Sequence, residues 1–102
     1  MLIITGIIKT SSEQELEQVK SALIKRAVKS RQDKGNIDYA FSVNIEDPTE
    51  IRLTEKWESE ELLNAHLQIP DEEFSAVVGA ASIESAVVVS NEVTGEKQLL
   101  NR

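Results

Sequence analysis

The 102-residue sequence has no cysteine, which excludes disulfides, thiolate nucleophiles and thiolate metal sites and removes any need for an oxidising compartment. Histidine occurs once, at His66, and one imidazole among scattered acids does not make the three-ligand set with an open position that a catalytic zinc requires. No G-x-G-x-x-G or P-loop is present, so nothing marks a nicotinamide, flavin or nucleotide site, and no cofactor is expected. Long apolar runs are also missing. Leu2, Ile3, Ile4, Ile7 and Ile8 are interrupted by Thr5 and Gly6 and stop at Lys9, without a basic segment before them, so this stretch reads as a buried strand. Basic charge is scarce: eleven Lys and Arg lie dispersed among eighteen acids, for a net charge of -7. That balance argues against nucleic acid and anionic membranes as partners and leaves the cytoplasm as the expected location.

What the chain does have is a globular balance of 40% hydrophobic and 28% charged residues, at a length suited to one core. A single domain over 1–93 with a polar tail over 94–102 is expected, the tail carrying Leu99 and Leu100 as its only anchors. Residues 2–9 suit a central strand covered on both faces. Ser12 followed by Glu15 is a capping-box signature, and Leu16, Val19, Leu23 and Ala27 form one helical stripe, widened by Ile24 and Val28. The spacing predicts a helix over 13–30 with Gly35 as a nearby stop signal. From Ile37 the residues alternate, with Ile37, Tyr39, Phe41, Val43 and Ile45 on one face; a turn at Asp47 and Pro48 then leads into a second strand over 50–58.

Ser59 is a natural cap for a short helix carrying Leu62, Leu63, His66 and Ile69, closed by Pro70, and Asp71 can cap one or two further turns. A final strand is expected over 83–93 around Val87, Val88 and Val89. The order β-α-β-β-α-β implies an α+β, ferredoxin-like antiparallel sheet with helices on one face. Two helices cannot cover both faces of so apolar a last strand, so a homodimer packed sheet to sheet is expected.

Three residues stand out chemically. Glu55 shares a strand face with Leu53 and Trp57, and an acid in an apolar row must find a partner or carry a raised pKa. The structural alternative is a salt bridge or a cap on backbone amides. Trp57, the only tryptophan, suits a core position, while its indole N–H needs an acceptor. His66 lies four residues after Leu62 and three before Ile69, a spacing that turns it inward, where a packing role and a proton-transfer role are both open.

Glu55, Lys56 and Trp57, followed by an acidic helix start and then Ala65, His66 and Leu67, resemble the antibiotic-biosynthesis monooxygenase family of small dimeric α/β-barrel proteins. The earlier stretch Gly35, Asn36, Ile37, Asp38, Tyr39, with Asp47 and Pro48 beyond it, extends the resemblance over about residues 2–93. The family includes cofactor-independent oxygenases of quinols and anthrones. The resemblance therefore implies a monooxygenase that favours the anion of a small electron-rich aromatic, which itself reduces O2. It implies that His66 assists proton removal or orients a phenol, that Glu55 holds the histidine or a substrate hydroxyl, and that Trp57 and Tyr39 form aromatic walls. Haem-degrading relatives use a first-strand asparagine and a later histidine. Here the first strand offers Thr5 and Gly6, and 71–81 contains no histidine. The rival reading is a non-catalytic dimeric barrel that binds a small apolar ligand, with Glu55 and His66 as packing groups.

Overall fold

Residues 1–102 are described by a computed structural model. Its elements run β1 (Leu2–Thr10), α1 (Glu13–Ser30), β2 (Asn36–Asn44), β3 (Asp47–Trp57), α2 (Glu60–Leu67), α3 (Glu72–Ala80) and β4 (Ile83–Glu92). The four strands form one antiparallel sheet in the order β2-β3-β1-β4 with the helices on one face, the expected α+β ferredoxin-like arrangement.

The most apolar strand, β1, lies inside the sheet, between β3 and β4. Its alternate residues Leu2 and Ile4 are buried beneath the helices, whereas Ile7 on the opposite face is 39% exposed, so within one chain the strand is covered on one side only. β4 is barer still. Val87 and Val89 pair with Ile7 and Thr5 on the helix-free face, while Val88 pairs with Gly6 on the other, and all three valines are exposed. Neither face of β4 is covered: beyond Ile83 every residue of the strand is exposed.

Helix α1 spans the expected residues. Ser12 Oγ accepts the Glu15 amide, but the Glu15 carboxylate does not return to the cap; it accepts the Ser82 amide instead and ties the helix start to the entry of β4. Leu16, Val19, Leu23 and Ala27 are buried as the stripe requires. Ile24 and Val28 do not widen that stripe but lie exposed, and the inward face extends instead through Ala22 and Ser30. Nor does Gly35 end the helix, which stops at Ser30 with Arg31 as its cap. Gly35 has φ +87°, and a Cβ there would clash with the Leu62 side chain, so the residue lets the chain pass beneath α2.

The hairpin differs from expectation as well. Its turn is Ile45 and Glu46, and β3 begins at Asp47. Asn44 pairs with Asp47 while Val43 pairs with Ile51, so the residues between bulge from the ladder, where Pro48 has no N–H to contribute. Asp47 Oδ1 accepts the amide and hydroxyl of Thr49, a local turn inside the bulge. Ser59 and Asp71 cap α2 and α3 as expected. The tail after β4 has no regular structure, and Leu99 and Leu100 anchor nothing within the chain.

Candidate functional site

Alternation along β2 and β3 sends Tyr39, Glu55 and Trp57 to the helix side at the end of the sheet where α2 crosses it, and helical spacing brings His66 down onto them. The Trp57 and His66 rings lie 4.6 Å apart, and the Tyr39 ring meets His66 edge-on at 5.9 Å. Trp57 Nε1 donates to Glu55 Oε1 at 2.9 Å, which gives the carboxyl the partner its apolar row demands. The structure thus brings all four residues together and seals them: exposures are 0% for Trp57, 3% for Tyr39 and His66 and 7% for Glu55. No open wall is left for a ligand in this arrangement.

Burial raises the Glu55 pKa, against the lowering influence of the Trp57 hydrogen bond and the nearby His66 and Arg26. Tyr39 is pushed up by the same cause and by the Glu55 charge beside it, with Arg26 and Ser30 opposing. Burial thus favours the protonated form of both groups in the seam.

Arg26, on the inner face of α1, is the functional side chain that the residue pattern missed. Its Nη2 donates to His66 Nε2 at 3.2 Å, and His66 Nδ1 lies 2.5 Å from Asp33 Oδ2. Because a guanidinium can only donate, Nε2 accepts and the ring proton sits on Nδ1, donated to Asp33. His66 is held in one tautomer with its lone pair occupied. The same guanidinium approaches Asp71 Oδ2 at 3.6 Å and stacks 5.1 Å from the Phe74 ring, fastening α1 to the α2–α3 junction. Arg26 Nε is buried with no partner. In the sequence, Arg26 is one cation among the three near the end of α1; only the tertiary packing distinguishes it.

The open space is elsewhere. A groove of about 310 Å³ runs between α1 and the edge of the sheet, lined by Leu16, Lys20, Leu23, Ile24, Ala27 and Arg31 of α1 and its cap and by Phe41, Ser42, Val43 and Ile51 of β2 and β3. Phe41 separates it from the sealed seam, its ring edge-on to Tyr39 at 5.7 Å. No cluster of three or more His, Asp or Glu side chains is arranged to hold a metal ion.

Over residues 1–78 the sequence matches the family model of antibiotic biosynthesis monooxygenases. The chain belongs to that family. A candidate antibiotic biosynthesis monooxygenase from Deinococcus radiodurans has a similar fold, with TM-score 0.85 at 20% identity, over 99% of this chain and 100% of the other. A second crystal structure of an antibiotic biosynthesis monooxygenase gives 0.75 at 19% identity over 93% and 100%. Rv0793 of Mycobacterium tuberculosis gives 0.76 at 15% identity over 96% and 100%. No curated protein matches the sequence. At these identities the structural likeness to antibiotic biosynthesis monooxygenases establishes the fold, and the chemistry must be argued from this chain's own residues.

Proposed function

We propose that the protein is a homodimeric, cofactor-independent monooxygenase that uses O2 to oxidise a small electron-rich aromatic of the quinol or anthrone kind. For an anthrone, the ring CH2 loses its proton to give an anion that reduces O2. One oxygen atom becomes the new carbonyl, and the other leaves as water with the two hydrogens, so no external reductant is required. The observation that carries this reading is the convergence of Tyr39, Glu55, Trp57 and His66 beneath α2, in a chain of monooxygenase family. In the protonated form that burial favours, Glu55 can donate to a substrate oxygen, and His66 becomes a base when Arg26 turns wholly to Asp71 and frees Nε2. Substrate access requires the sealed seam beneath α2 to open. Dimerisation is supported by the bare faces of β4 and the exposed Ile7, Val87 and Val89.

Oxygen uptake with a panel of quinols and anthrones tests the proposal. Uptake above buffer is expected for at least one compound, falling by ~10²-fold or more in His66→Ala, the usual worth of a positioned base, and less in Trp57→Phe. Absence of turnover across the panel overturns it. One observation favours the alternative of a non-catalytic binding barrel: the four residues are sealed while an open groove lies beside them.

A further inference from the structure

The groove beside α1 has a chemical polarity of its own. Its walls are mainly aliphatic and aromatic, and its volume of about 310 Å³ lies at the lower end of small-molecule sites, room for about ten water-sized groups. Cations stand at two places along it. Lys20 is already neutralised, its Nζ 2.6 Å from Glu17 Oε1. Arg31 is not: Nε donates to the Tyr39 carbonyl at 2.9 Å on the outer edge of β2, and the guanidinium joins none of the chain's ion pairs.

That single hydrogen bond fixes the plane of the Arg31 fork while leaving both Nη groups free, the geometry that binds a carboxylate through two parallel bonds. At the other end the groove continues into a second hollow shared through Leu16, Lys20 and Val43 and bordered by Glu13 and Glu17. An anion is attracted to one end and repelled from the other.

From this asymmetry we infer that the α1–β2 groove is a binding site for a small apolar monocarboxylate, its carboxylate on Arg31 and its hydrocarbon body along Leu23, Phe41 and Val43. The site is independent of the oxygenase reading: it shares only Ala27 and Phe41 with the sealed seam. In a chain of net charge -7, an anion gains little from the overall field, so selectivity rests on Arg31 itself.

Titration of 15N-labelled protein with 2-naphthoate, and with 2-naphthylmethanol as its uncharged counterpart, tests the inference by amide shifts and calorimetry. Naphthoate is expected to shift amides along 16–31 and 41–43 and to bind about tenfold tighter than the alcohol. Arg31→Gln abolishes that preference, Arg31→Lys keeps part of it, and Val43→Phe weakens both probes by narrowing the groove. Equal affinity for acid and alcohol, an unchanged preference in Arg31→Gln, or shifts confined to 60–80 would each overturn the site. So would absence of shifts in a dimer whose partner fills the groove. Oxygen uptake measured on the same variants separates the two proposals, since loss of carboxylate binding with turnover intact removes only this one.

Discussion

The seam beneath α2 and the groove beside α1 occupy the same sheet face and meet at Ala27 and Phe41, yet they treat polar groups in opposite ways. In the seam the Glu55, Trp57 and His66 side chains are dry and have found partners in one another or in Arg26 and Asp33. In the groove, Arg31 keeps donors to spare beside an apolar hollow. The lesson is that burial selects for partnered groups, Arg26 Nε being the exception in the seam, whereas unused hydrogen-bonding capacity beside open apolar surface is what a ligand can exploit. Catalysis in the seam requires it to open; binding in the groove does not.

If the seam is the chain's rigid centre, its loss should cost the most. Trp57→Ala is expected to destabilise the fold by about 3–5 kcal/mol in urea unfolding, the usual range for removing a buried large aromatic. Trp57→Phe keeps most of the ring but strands the Glu55 carboxyl, and should cost about 1–3 kcal/mol. A value for Trp57→Ala near that of an ordinary surface change would mean that the seam is already loose and the contrast with the groove is false.

Next in size is Gly35→Ala, which tests whether the backbone beneath α2 is as constrained as the seam it supports. The positive φ and the clash that an added Cβ would make with the Leu62 side chain leave no room for a methyl group, so a loss of about 2 kcal/mol is expected, read as a lower urea midpoint with an unchanged slope. Retention of wild-type stability would show that α2 is free to ride upward, which would favour easy opening.

A smaller, pH-dependent effect separates a neutral carboxyl from an ionised one. Because burial raises the Glu55 pKa, its contribution is fully present below the ordinary glutamate value and is lost as pH rises through the folded value. Glu55→Gln has no proton to lose and can still accept from Trp57. Its stability relative to wild type should therefore increase as pH is raised from about 4 and level off once wild-type Glu55 is ionised. A constant difference across that range would mean that Glu55 titrates as an exposed glutamate does.

Local pattern carried much of the architecture. The period of α1, the caps at Ser12, Ser59 and Asp71, and the alternation that puts Glu55 and Trp57 on one face are written in neighbouring residues. Tertiary decisions were not. Ile24 and Val28 read as part of the core stripe, but α1 is rotated so that Ala22 and Ser30 are buried and Arg26 reaches His66, Asp71 and Phe74. Gly35 resembled a helix stop because its need for positive φ was visible and its closeness to Leu62 was not. Likewise the pairing of His66 with Asp33 and Arg26 spans 33 and 40 residues, beyond the reach of any periodicity. The bulge after Asp47 arises because Pro48 and the Thr49 hydrogen bonds compete with the ladder, which moved the turn to Ile45 and Glu46.

The smallest effect tests the other half of the contrast. Ile24 borders the groove at 63% exposure, so Ile24→Ser removes little buried surface and replaces a β-branched helix residue by one of similar propensity. Its stability should stay within about 0.5 kcal/mol of wild type, as for surface changes away from special features. The affinity for 2-naphthoate should nevertheless fall about twofold to fivefold through lost apolar contact, with the preference over the alcohol intact because Arg31 is untouched. A large stability loss would place Ile24 in a covered interface, and the groove would then belong to the packing of two copies rather than to a ligand.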